Sequence, residues 1–323
     1  MGNGESKFLY ITTNSTVYAP GEHIHGEVYL KLQENMTSDS LIIDIEGLES
    51  YQIEEKQKNF SESNQIFHKV IILYNWPNSV AEKGDYTFPF NFKLPINIPG
   101  STVIELSNIT AFIRYRVKAL ISQEFYKERE FKIKSKSNLS NTLQKNQASS
   151  SFKVKRMICV NRGVIEMQVS LNKFEYTSED ILRIEVNGIC DILPYVFCYV
   201  YRIVGVRVDG VYKIVKSKIC KIKVTENEID LDLKSFEGRI CKNTSTEGKF
   251  ISCSYIVKVV TDKKVCCSGI NELVLTFQLN SGRDEPATPR YSIPFKPRMI
   301  RCQLIDEAYS YDEGFSFYGS NFE

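Results

Sequence analysis

No run of about 18 consecutive apolar residues occurs in the chain, so no membrane-spanning helix is predicted. The N-terminus also lacks the apolar stretch of a secretory signal peptide. The predicted location is therefore the cytoplasm, where thiols stay reduced, and the nine cysteines are expected as free thiols. No Cys-x-x-Cys pair exists and zinc-ligand spacing is missing. Histidine is scarce, at three residues. His23 and His25 would share a strand face, but no third ligand lies near them in sequence, so neither a metal nor any other cofactor is expected. A cysteine nucleophile would need a histidine partner, and all three histidines lie in the first half while the cysteines lie between Cys159 and Cys302. Phosphate-binding loops, G-x-G-x-x-G and G-x-S-x-G are all missing, which leaves no recognisable active site and predicts a protein that is not an enzyme. Charge of one sign is missing too. A formal net charge of +2 gives no field that would steer the chain to nucleic acid.

What is present points to sheets. Apolar residues make up 42% of the chain and aromatics 12%, enough for packed cores rich in residues that suit a pleated surface. Alternation with a period of two recurs. Tyr86, Phe88, Phe90, Phe92 and Leu94 fall on one face of a strand, with Pro89 inside the run marking an edge or a bulge. Ile113, Tyr115, Val117, Ala119 and Ile121 face one way while Arg114, Arg116 and Lys118 face the other. Further strands are predicted near 8–13, 26–32, 40–47, 66–74, 164–171, 181–187, 195–208, 211–224, 250–261 and 271–279. No long helical stripe interrupts them.

Residues 135–151 contain six serines and almost no apolar side chain, a linker composition that divides the chain nearly in half. The halves echo one another: Tyr18-Ala-Pro20-Gly21-Glu22 before an alternating strand in the first, Tyr176-Thr-Ser178-Glu179-Asp180 before another in the second. The prediction is all-β: two tandem immunoglobulin-like β-sandwiches over 1–134 and 152–301, joined by 135–151 and followed by a tail over 302–323.

The same residues resemble the arrestin family, and its α-arrestin (arrestin-domain-containing) branch in particular. Pro20-Gly21-Glu22 with Ile24-x-Gly26-x-Val28 is similar to the family's opening hairpin. Gly84-Asp85-Tyr86-Thr87-Phe88-Pro89-Phe90-x-Phe92-x-Leu94-Pro95, followed by Ile98-Pro99-x-Ser101, resembles its most distinctive segment. Ile113–Ala119 resembles the strand that follows. Gly163-x-Ile165, Lys173-x-x-Tyr176 and Tyr255-Ile-Val257-Lys258-Val259 are similar to parts of the second arrestin domain, with Ser178-Glu179 standing where the family usually has Pro-Gly. The resemblance implies a non-enzymatic adaptor or scaffold that binds membrane cargo or receptors and links them to trafficking proteins, in endocytosis, protein transport or signal transduction. The alternative is a permanent subunit of a retromer-like sorting coat. None of the ten prolines forms the Pro-Pro-x-Tyr motif that many α-arrestins use to recruit ubiquitin ligases.

Three features bear on binding. Met1-Gly2-Asn3-Gly4-Glu5-Ser6 fits the pattern for N-myristoylation of Gly2. One myristoyl chain holds a membrane only reversibly, so any peripheral association with endomembranes or the plasma membrane is expected to be transient. The stretch 202–223 carries Arg202, Arg207, Lys213, Lys216, Lys218, Lys221 and Lys223 against Asp209 alone, a basic patch suited to phosphoinositide or acidic peptide. Simple alternation does not put these side chains on one face. The tail combines five acidic residues with Tyr309, Tyr311, Phe315, Phe317, Tyr318 and Phe322, and reads as a docking motif acting in cis or in trans. Residues 151–301 hold 25 basic and 17 acidic residues, so a domain of net +8 precedes an acidic tail.

Overall fold

A computed structural model describes residues 7–55, 58–135, 147–156, 160–188, 196–236, 244–261, 266–268, 272–280 and 298–299. The first half contributes β1 (Lys7–Thr13), β2 (Val17–Tyr18), β3 (His23–Leu32), β4 (Met36–Thr37), β5 (Ser40–Glu55), β6 (Lys58–Asn75), β7 (Val80–Ala81), β8 (Gly84–Lys93), β9 (Thr102–Leu106), β10 (Ile109–Leu120) and β11 (Tyr126–Ile133). The second half contributes β12 (Gln147–Arg156), β13 (Val160–Leu171), β14 (Glu175–Thr177), β15 (Ile181–Asn187), β16 (Val196–Val208), β17 (Val211–Val224), β18 (Glu228–Asp232), β19 (Thr246–Glu247), β20 (Ile251–Thr261), β21 (Cys266–Ser268), β22 (Glu272–Asn280) and β23 (Arg298–Met299). Among the described residues the only helical pieces are short 3-10 turns at Pro77–Ser79 and Leu233–Phe236.

The strands form two sandwiches. In the first, a sheet ordered β1-β3-β8-β23 faces one ordered β2-β11-β10-β5-β6, with β9 beside β10. In the second, β18-β15-β13-β12-β21 faces β14-β22-β20-β16-β17, with β19 beside β20. The alternating runs supply the cores. Phe88, Phe90, Phe92 and Leu94 are buried, as are Ile113, Tyr115, Val117, Ala119 and Ile121. Among the described residues, Pro89 sits where β8 has β3 on one side only, since β23 pairs with β8 just at Tyr86 and Thr87. A residue without an N–H is tolerated there because no ladder bond is lost.

The chain crosses back at its end: β23 follows the second sandwich in sequence yet joins the sheet of the first. β12 begins at Gln147, pairing with Ser170, so Gln147–Ser151 of the serine-rich stretch are strand. Serine is a passable residue in a strand that borrows its burial from neighbours, and composition alone does not reveal this.

The echo between the halves has a structural counterpart. β2 pairs in parallel with β11, and β14 pairs in parallel with β22. Each places a buried tyrosine at the same corner. The Tyr18 hydroxyl donates to Asn14 Oδ1 at 2.8 Å and accepts from the Ser15 N–H at 3.0 Å. The Tyr176 hydroxyl donates to Asn172 Oδ1 at 2.7 Å and accepts from the Lys173 N–H at 3.3 Å. Tyr18 meets Phe131 edge to face at 5.8 Å, and Tyr176 meets Phe277 likewise at 5.5 Å. A buried hydroxyl needs a partner. An asparagine four residues upstream supplies it in both sandwiches.

Candidate partner-binding surface

The two sandwiches touch through buried polar contacts. The Glu49 side chain on β5 is 1% exposed. Its carboxylate accepts from the backbone N–H groups of Lys249 (3.0 Å), Phe250 (2.8 Å) and Ile251 (2.8 Å) at the turn between β19 and β20. A carboxylate can be buried at tolerable cost when several N–H dipoles point at it. Beside it, the Thr246 hydroxyl donates to the Gly100 carbonyl at 2.7 Å, the Thr102 hydroxyl to the Thr244 carbonyl at 3.2 Å, and the Thr244 hydroxyl to the Ser101 carbonyl. Tyr51 meets Phe250 edge to face at 5.7 Å. Nothing in the sequence marks Glu49, because one acid among many on alternating strands looks like a solvated residue.

The β16–β17 hairpin rises next to this junction. Asp209 and Gly210 form its two-residue loop, with φ of 50° and 82°. Positive φ at both loop positions matches the type I′ turn that suits the twist of a hairpin. Lys213 Nζ lies 4.7 Å from the ring centre of Phe60 on β6, so the hairpin reaches the first sandwich.

The basic residues sort themselves by register. Tyr201 stands opposite Lys218 and Val200 opposite Cys220, which leaves Ile219 as an extra residue, a β-bulge. The bulge reverses the parity of β17 beyond it. Lys216 and Lys218 lie opposite Ile203 and Tyr201, while Lys221 and Lys223 lie opposite Tyr199 and Phe197. Four lysines that simple alternation splits between two faces are thus collected on one. They flank a ladder of rings, Phe197, Tyr199 and Tyr201, spaced 6.4 and 5.9 Å apart. Lys216 Nζ sits 4.1 Å from the centre of the Tyr201 ring and Lys221 Nζ 4.2 Å from that of Phe197. An ammonium over an aromatic face is held there without losing its charge. On the same face, Lys258 of β20 is paired with Glu272.

The other basic residues named from sequence lie elsewhere. Arg202 alternates with Val200 and Val204 and is buried, at 9% exposure, so its charge is not on the surface. Arg207 is exposed near the loop, and Lys213 is half-buried toward the junction. Gly2 and the tail residues Tyr309, Tyr311, Phe315, Phe317, Tyr318 and Phe322 lie outside the described residues.

His23 and His25 do share a face, with rings stacked at 5.8 Å. His25 borders a shallow groove of about 530 Å³ that Thr12, Glu27 and Asn91 also line. His23 Nδ1 lies 3.1 Å from Asn91 Oδ1. His68 is engaged by Asp44 at 2.7 Å on other strands. Among the described residues no group of three potential metal ligands converges. Burial pushes the Cys198 thiol up to about 12, with Cys220 nearby adding to the shift. Burial also raises Cys253 to about 12, against smaller opposing effects of Arg202 and Tyr255. Thiols held neutral in this way behave as small apolar side chains.

Two sandwiches, a hydrogen-bonded junction between them and an exposed basic face make up the described structure. Residues 9–146 match the family model described as arrestin (or S-antigen), N-terminal domain. The match supports the arrestin family for this chain, and the fold is an arrestin-like double β-sandwich. No curated protein sequence matches the chain. Among the described residues no helix is long and apolar enough to cross a membrane.

Proposed function

We propose that this chain is a non-enzymatic adaptor of the α-arrestin branch, cytoplasmic, that binds membrane cargo or receptors and links them to trafficking or signalling proteins. The observation that carries this reading is the arrestin N-terminal domain over 9–146, joined through buried hydrogen bonds to a second sandwich that exposes four lysines around an aromatic ladder. An exposed basic sheet face adjoining a fixed interdomain junction suits recognition of acidic or phosphorylated segments near a membrane. The N-myristoylation pattern at Met1–Ser6 supports reversible peripheral association with endomembranes or the plasma membrane. The acidic, aromatic tail supports a docking motif that a cargo or membrane would compete for.

The test is proximity labelling in the native cell combined with size-exclusion copurification. An adaptor is recovered mostly free, with membrane proteins and trafficking proteins enriched among labelled neighbours. Recovery at fixed stoichiometry in one large complex would point instead to a permanent subunit of a sorting coat. Labelling that enriches no membrane or trafficking protein would refute both.

A further inference from the structure

We infer that the outer edge of β17 is an acceptor for an extended acidic segment of a partner protein, which adds to the sheet as a further strand. The inference rests on the adaptor reading and deepens it by assigning the partner's chemistry. β17 ends its sheet, and among the described residues no strand pairs with its far side. Register shows which backbone groups face outward. Across a two-residue hairpin, Val208 and Val211 exchange hydrogen bonds, and bonded pairs then alternate with unbonded ones. The Arg207 N–H confirms the phase: it donates to the Phe250 carbonyl at 2.8 Å, away from β17, so the pair Arg207–Tyr212 is an unbonded one. Tyr212, Ile214, Lys216 and Lys218 therefore turn their N–H and C=O groups to the open edge.

The side chains of these residues give the edge its selectivity. Tyr212 and Ile214 are 49% and 68% exposed, large for apolar groups, and form one half. Lys216 and Lys218 form the other. Lysine on an edge strand often serves only to repel other strands. Here Lys216 lies over the Tyr201 ring, on the sheet face and not across the edge. A guard would also not leave Tyr212 and Ile214 uncovered beside it. A strand laid antiparallel along 212–218 would set two acidic residues against Lys218 and Lys216, then two apolar residues against Ile214 and Tyr212. The recognised pattern reads acidic-x-acidic-x-apolar-x-apolar, with main-chain bonds supplying affinity and the alternate side chains supplying specificity.

The probe is a labelled peptide, Thr-Glu-Thr-Glu-Thr-Val-Thr-Val-Thr, titrated with the full chain by fluorescence anisotropy. Binding is expected, and Lys216→Glu with Lys218→Glu should weaken it about tenfold or more. Ile214→Pro removes one outward N–H and no bond to β16, so it should keep the fold by circular dichroism while losing a similar factor. Should that variant misfold, the peptide carries the test. N-methylation of its glutamates and valines, whose amides face β17, should abolish binding, and N-methylation of its threonines should not. Wild-type affinity in a folded Ile214→Pro chain, or indifference to which amides are methylated, overturns the assignment. So does phosphatidylserine-vesicle binding that displaces the peptide and is unchanged in Ile214→Pro, which would make the surface a membrane contact. Peptide binding seen only after truncation behind Cys302 would make the chain's own tail the occupant and overturn it as well. Failure of these tests, with labelled trafficking partners still lost in the lysine double variant, would remove the strand acceptor and leave the adaptor reading standing.

Discussion

Replacing Glu49 by alanine should loosen the junction between the sandwiches. The substitution strips the acceptor from three backbone N–H groups, two of which, on Phe250 and Ile251, lie in fully buried bonds. A buried donor left without a partner costs about 1–3 kcal/mol, and the void left by the side chain adds to that. The expected loss is about 2–5 kcal/mol, as two fully buried donors lose their acceptor together. Urea denaturation monitored by circular dichroism reads the loss, and amide exchange should locate it at 249–251 and across 100–102 and 244–246. Glu49→Gln, which keeps one acceptor oxygen but brings an NH₂ against donors, should fall between. Gly248 provides an internal control, because a Cβ placed there would run into the Glu49 carboxylate. Gly248→Ala should therefore be costly in the native chain and cheaper in the Glu49→Ala background, a coupling that a double-mutant cycle measures. A loss below about 1 kcal/mol with unchanged exchange at 249–251 would refute the claim that this carboxylate holds the junction.

Other outcomes follow from single sites. Partial burial raises the Asp180 pKa, but hydrogen bonds from Lys173 Nζ (2.6 Å) and from the backbone and side chain of Thr177 outweigh it and hold the carboxyl below 3.8. Its stabilisation is thus complete above the unfolded value near 3.8 and fades as pH falls through the lower folded value. Asp180→Asn should lower stability at neutral pH and flatten the acid limb of a stability–pH curve; an unchanged limb would contradict this. Gly2→Ala should shift membrane-associated chain to the soluble fraction, and intact-mass analysis showing a retained, unmodified Met1 in the native protein would end the lipid proposal. Truncation behind Cys302 should raise amide exchange on one sandwich if the tail latches in cis. No gain anywhere would assign the motif to a partner.

Much of the architecture was legible in the chain. Strict alternation over 86–94 and 113–121 places five side chains at a time on one face, and burial of that face is the cheapest outcome for such a pattern. The strands at 195–208 and 211–224 emerge within a residue of expectation. The hairpin of β5 and β6 runs further than expected, to Glu55 and Lys58; the outer part of β6, over 58–65, is polar apart from Phe60 and gives little alternation to read. The paired asparagine–tyrosine corners could have been found from the common spacing of Asn14 to Tyr18 and Asn172 to Tyr176.

The candidate surface divides differently between sequence and structure. Composition determined that 202–223 is basic and that no ready-made catalytic motif accompanies it. Only the tertiary structure decided that Arg202 points into the core and that one inserted residue, Ile219, brings four lysines onto a single face. Likewise only the structure singled out Glu49 from the other acids, by surrounding it with N–H groups about 200 positions later in the chain. The physical reason is common to both. Alternation and charge are local properties, written residue by residue. A bulge or a buried carboxylate is defined by which partner strand arrives opposite, and that depends on the packing of the whole chain.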